Sequence, residues 1–153
     1  MSESSLGQGT AWVLALDFEF RAAVGEREMV HLIETPTLLD VPWSPYYCRQ
    51  ILVWNQLILP AMDLAAWLRG QPSPREQTLV GVFAYQTQPG AEPDYAALLL
   101  AAIPERVRVT DTQACALPEQ PSGWRTLSIS CFQRGGRPIP ILDLPFIFSG
   151  GLQ

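Results

Sequence analysis

Apolar residues in this chain come in short runs, broken every few positions by Gly, Pro or Asn. The run WVLALDF sets Trp12, Leu14, Leu16 and Phe18 at period two, which predicts a half-buried strand over 12–18. EMVHLIE predicts a second strand over 28–34, apolar on both faces apart from His31, with Met29 beside His31 on one face. Ser44 followed by Pro45 has the form of an N-cap and first helical residue, so one or two helical turns are expected through SPYYCRQ. ILVW and LILP flank Asn55-Gln56 and read as a hairpin, because Asn tolerates the left-handed geometry of a tight turn. Asp63 then caps a short helix from Leu64 to Arg69 that Gly70 stops.

The second half repeats the same grammar. TLVGVFAY and YAALLLAAI are apolar strands around a Pro/Gly loop, and RVRVTDT points Val107 and Val109 inward. TLSISCF follows, then a Gly135-Gly136 turn and IPILDLPFIF. About nine or ten short strands with one or two helical turns place the chain in the all-β class, as a barrel or sandwich.

Three landmarks recur in order. LPAMDLAAWLRG and IPILDLPFIFSG lie eighty positions apart, the Asn55-Gln56 turn stands eighty before Gly135-Gly136, and AAVGER (22–27) matches AAIPER (101–106) at seventy-nine. The expected organisation is a tail over 1–10 and a single domain over 11–153. Within it, pseudo-repeats of about 11–70 and 78–153 flank a linker at 71–77, where QPSPREQ is polar and proline-rich.

Composition narrows the function. Of 153 residues 48% are apolar, enough for a real core, and no apolar run approaches a bilayer span. A net charge of −5 without a basic stripe argues against nucleic acid. Cys48, Cys115 and Cys131 are widely spaced and lack a C-x-x-C pair, which suits a reducing cytoplasm and neither a disulfide frame nor a zinc site. No residue spacing marks a metal site, a phosphate-binding loop or a catalytic set, so no catalytic residue and no cofactor is expected.

SPYYCRQILVWNQLILPAMDLAAWL resembles the hallmark segment of CheW-like domains. EREMVHLIETP, YAALLLAAIPERVRV and RPIPILDLPFIF are similar to three further blocks of that family, in the family's order. The resemblance implies two small five-stranded SH3-like β-barrels packed on a shared apolar seam, with one or two short helices. It implies a non-enzymatic, cytoplasmic adaptor that couples a methyl-accepting chemoreceptor to the regulatory domain of a histidine kinase, peripheral to membrane receptor assemblies and without insertion into the bilayer. Where the family has Arg-Gly at the hairpin and Glu in the neighbouring strand, this chain has Asn55-Gln56 and His31. The family's crossover Asp is Ala101. Both members of the family's ion pair are thus replaced by neutral groups, which avoids leaving one charge unpaired. A divergent adaptor, in a system governing pili or surface motility, is the expectation.

The partner-binding candidates are Met29, His31, Trp54, Asn55, Gln56 and Leu79, the last at a position where the family makes contacts. Trp43, Tyr46, Tyr47, Trp54 and Trp67 exceed what one small barrel needs, which leaves one or two to anchor a partner. Asp63 and Asp143 are read as helix caps, Glu26 and Glu105 as solvated turn charges, and Cys48 and Cys131 as small buried residues. Two other functions compete: a ligand-binding or enzymatic pocket around His31, and a structural component that self-associates through its aromatics.

Overall fold

The computed structural model describes residues 8–152. The first half carries β1 (Gln8–Ala15), β2 (Arg21–Gly25), β3 (Met29–Ile33), β4 (Leu39–Asp40), β5 (Gln50–Trp54), β6 (Leu57–Met62) and α1 (Leu64–Arg69). The second carries β7 (Leu79–Tyr85), β8 (Asp94–Leu100), β9 (Glu105–Thr110), α2 (Trp124–Leu127), β10 (Ser128–Arg134), β11 (Arg137–Leu142) and α3 (Leu144–Phe146).

Two sheets form, ordered β9-β1-β2-β11-β10 and β3-β7-β8-β6-β5-β4. The first five places correspond one for one. In each sheet an antiparallel hairpin returns a strand that lies parallel to an inner one, with Ile141 opposite Ala23 in one sheet and Ala61 opposite Ala97 in the other. Each sheet also takes strands from both sides of the 71–77 segment, so neither half of the chain builds a barrel alone. The six-stranded sheet differs from the expected five by β4, two residues that leave β3 and pair back onto β5. Its counterpart in the other sheet is a single bridge, Ala114 to Phe132, where the chain after β9 returns to β10. Both barrels are closed by the same device.

Three apolar clusters fill the molecule. Ala11, Val13, Ala23, Val107, Phe132 and Ile139 fill the five-stranded barrel, and Leu52, Leu59, Ala61, Val80, Val82, Ala97 and Leu99 fill the other. Between them lies the largest cluster, a seam that includes Leu14, Val24, Leu64, Phe83, Leu98, Leu100, Leu142 and Ile147. Strands β1, β2, β7 and β8 alternate between a barrel interior and the seam, so they are buried on both faces and read as continuous apolar runs. Fully burying one such side chain contributes about 1.5–3 kcal/mol.

Several local expectations are revised. The strand expected over 12–18 ends at Ala15: the Leu16 N–H donates to the Phe20 carbonyl, Asp17 is buried, and Phe18 is 79% exposed. Gln8–Thr10, expected in a tail, belong to β1 and pair with β9; residues 1–7 of that tail lie outside the described residues. The helical turns expected after Ser44 reduce to one turn, in which the Cys48 N–H reaches the Pro45 carbonyl at 3.0 Å; the Ser44 hydroxyl donates backward to Val41. The AAVGER match is not a structural one. Ala23 and Ala97 occupy equivalent places beside the two hairpins, whereas Ala101 lies beyond the end of β8.

The hairpins themselves fold as their sequences dictate. Asn55 and Gln56 take φ of 51° and 68°, and Gly135 and Gly136 take 59° and 78°. An Asn-Gln pair pays for these left-handed angles where a Gly-Gly pair adopts them freely. Asp63 accepts from the Ala66 N–H at 3.0 Å and Asp143 from the Phe146 N–H at 3.2 Å, so both aspartates are caps.

Candidate protein-docking surface

The β5–β6 hairpin presents two unlike faces. Leu52 and Leu59, directly opposite one another, point into the barrel and are buried. Val53 and Ile58, the next opposed pair, point outward and are 62% and 68% exposed. Leu39 on β4, Ile51 on β5 and Pro60 on β6 stand in one cross-strand row, two residues along the same outer face. Leu39 is exposed as well. The result is a continuous apolar strip on the outside of the barrel, of a kind that marks contact surfaces. Beyond β4, Trp43 is fully exposed with φ of 63°, and Tyr46 is exposed beside it in sequence. Tyr47, Trp54 and Trp67 are half-buried against the core.

At the turn end of this hairpin the aromatics cluster with tilted rings. Trp54 lies 5.3 Å, centroid to centroid, from Tyr95 and 6.4 Å from His31. His31 is exposed and reaches this corner because β3 is bulged. Met29 stands opposite Phe83, a seam residue, while His31 stands opposite Val82, a barrel-interior residue. The extra residue, Val30, turns the two side chains to opposite faces, contrary to the shared face expected from spacing. Met29 is therefore half-buried against the seam. Leu79 is 3% exposed within the same seam, so its side chain is not presented to a partner. Of the six candidates, His31, Asn55 and Gln56 are exposed, Trp54 is half-buried beside His31, and Met29 and Leu79 belong to the core side.

A second polar constellation escaped the sequence reading. The Asp17 carboxylate is buried and accepts four hydrogen bonds: from Arg69 Nε at 2.8 Å, the Ser73 hydroxyl at 2.7 Å, and the Glu19 and Phe20 N–H groups at 2.8 Å each. Burial pushes its pKa up, but the Arg69, Phe20, Ser73 and Glu19 donors outweigh that and hold it below the usual carboxylate value. Arg75, almost fully buried, grips Asp63 with two nitrogens at 2.7 and 2.9 Å and also donates to the Leu16 carbonyl. The 71–77 segment is thus no slack tether. Its Ser73 and Arg75 stitch the β1–β2 loop of one barrel to α1 of the other. Arg69 also lies 4.9 and 4.5 Å from the ring centroids of Phe18 and Phe20. An Asp inside an apolar run, with Ser and Arg in a distant proline-rich segment, was the signal available.

This geometry organises contacts and caps, and no group of three or more His, Cys, Asp or Glu among the described residues could hold a metal ion. The CheW-like domain model matches residues 22–150, most of the chain. The chain belongs to the CheW-like domain family. No curated protein matches this CheW-like chain in sequence at a significant level. Among solved structures it is similar to the scaffolding protein TtCheW from Thermoanaerobacter tengcongensis, with a TM-score of 0.74 at 14% identity over 95% of each chain. At that identity the likeness shows the fold: two sheets with the SH3-like barrel architecture. The family is one of scaffold adaptors in chemotaxis signalling. No helix among the described residues is long and apolar enough to cross a membrane.

Proposed function

We propose that this CheW-like domain is a non-enzymatic adaptor that couples a chemoreceptor to a histidine kinase, at the cytoplasmic side of a receptor assembly. The observation that carries the reading is the outward apolar pair Val53–Ile58, continuous with the Leu39 row. Such a strip with a polar turn at its end has the anatomy of a protein-contact surface, an apolar centre bordered by polar groups. The kinase regulatory domain docks on the strip, and the receptor is read by the corner of His31, Asn55 and Gln56, where the family's charged pair is replaced. That double replacement favours a non-standard receptor, of a system controlling pili or surface motility.

The test is binding of the full chain to the kinase regulatory domain and to receptor signalling tips encoded beside it. Submicromolar or micromolar binding to the kinase domain, lost in the V53Q/I58Q double variant, supports the proposal. Absence of any binding to either partner, with a wild-type fold, sinks it. Concentration-dependent light scattering that V53Q/I58Q abolishes would instead assign the strip to self-association.

A further inference from the structure

The closing edge of the five-stranded barrel holds a feature that adaptor function does not use. After β9 the chain makes a short helical turn at Asp111–Gln113 and comes back onto β10 through a single bridge, Ala114 to Phe132. The next residue, Cys115, faces Cys131: its N–H donates to the Cys131 carbonyl at 3.1 Å, and the two sulfurs are 3.4 Å apart. The sequence alone gave no reason to pair these cysteines, sixteen positions apart.

We propose that Cys115 and Cys131 are a reversible dithiol–disulfide pair that locks the closing edge of this barrel. A disulfide needs its sulfurs about 2.0 Å apart, so they have roughly 1.4 Å to close. The segment that carries Cys115 lies outside the named strands, and Cys131 borders a surface cleft of about 350 Å³ shared with Val109, Ala114 and Ile141, so neither sulfur is wedged in place. Cys48, the third cysteine, belongs to the Pro45–Cys48 turn by the other barrel.

The order of the chemistry follows from burial. Cys115 is half-buried, whereas Cys131 is buried and its thiol is pushed up to about 12, by desolvation first and then by the neighbouring Cys115 sulfur. Cys115 therefore attacks first. Its thiolate displaces one sulfur of a low-molecular-weight disulfide such as glutathione disulfide, which leaves as a thiolate and takes up a proton. The Cys131 thiol loses its proton and attacks the Cys115 sulfur of the mixed disulfide, expelling the second thiolate. Two protein thiols become one disulfide while one small disulfide becomes two small thiols, so electrons and protons balance. In a reducing compartment the pair remains open and closes only when the thiol pool is oxidised.

The experiment exposes the full-length protein to glutathione buffers of increasing oxidation and follows it by intact mass, thiol counting and peptide mapping. The expected result is loss of two hydrogens with no retained glutathione, a peptide joining Cys115 to Cys131, and full reversal by dithiothreitol. The crosslinked form should melt about 5–10 °C higher, as expected of a disulfide closing a loop of this length. Cys48→Ser should behave as wild type. Cys131→Ser should trap glutathione on Cys115, and Cys115→Ser should leave Cys131 unmodified. Three free thiols in excess glutathione disulfide, or a crosslink that involves Cys48, would overturn the proposal. Should Cys131→Ser fail to fold, the mapping of wild type and Cys115→Ser decides alone. Kinase or receptor binding plays no part in these readouts, so the outcome is independent of the adaptor reading.

Discussion

The two hairpins make a controlled comparison inside one molecule. In both, a strand, a two-residue left-handed turn, a second strand and an Asp cap follow in the same register. Their inner residues agree in kind: Leu52 opposite Leu59 in one barrel, Phe132 opposite Ile139 in the other, all buried. Their outer residues do not. Val53 opposite Ile58 corresponds to Gln133 opposite Pro138; at the turn, on the other face, Trp54 opposite Leu57 corresponds to Arg134 opposite Arg137. Arg134 is spent on an exposed ion pair with Glu105 at 2.9 Å. The inner face sets the fold and tolerates only apolar residues, because each must fill a small barrel. The outer face is free, and the β5–β6 hairpin uses that freedom to present an opposed pair of exposed aliphatic side chains, where its twin has Gln133 and Pro138. One hairpin is a structural element and its twin also presents an exposed apolar pair.

The comparison breaks first where the barrels meet, since Arg75 grips the Asp63 cap that follows the β5–β6 hairpin. Arg75→Ala should cost about 3–5 kcal/mol in urea denaturation, since it leaves the Asp63 carboxylate without its buried partner. Leu52→Ala and Phe132→Ala should each cost about 2–5 kcal/mol in the same measurement, with similar losses if the two interiors are equivalent. A much smaller loss for either would show that its barrel collapses onto the cavity. Acid exposes the seam differently. The folded-state pKa of Asp17 is lowered, so its contribution is fully present above its unfolded pKa near 4 and is lost as pH falls through the folded value. An Asp17→Asn variant should be less stable at neutral pH and should lose this part of the acid dependence, as followed by circular dichroism.

The outer faces call for smaller energies and a different readout. V53Q/I58Q, which makes the outer pair of the β5–β6 hairpin as polar as Gln133 makes that of its twin, should weaken kinase-domain binding at least about tenfold while changing stability by about 0.5 kcal/mol or less per site. The exposed Arg134–Glu105 ion pair of the other hairpin should matter least. Arg134→Ala should cost about 0–1 kcal/mol, less at high salt, and leave binding unchanged. Equal loss of binding from V53Q/I58Q and Arg134→Ala would erase the distinction between the two hairpins.

Hairpins and caps were legible because each is a local object: Asn55-Gln56, Gly135-Gly136, Asp63 and Asp143 carry their own geometry within a few residues. The bulge at Val30 was not, since periodicity assumes one residue per step and the register shift is set by pairing with β7. Asp17 was hidden in an apolar run because its partners, Arg69 and Ser73, lie more than fifty positions away. Leu79, at a position where the family makes contacts, carries no sequence mark for which face will meet the seam.

From its sequence alone this chain determined its class, its twin hairpins, its caps and its family likeness, all consequences of short-range sterics and alternating polarity. Only the tertiary structure decided that each barrel draws strands from both halves, that the 71–77 segment locks them together, and that Val53 and Ile58 face solvent while Cys115 meets Cys131. The reason is physical: which face of a strand is covered, and which distant side chain satisfies a buried charge, depend on chain closure between residues far apart, and no local pattern encodes that.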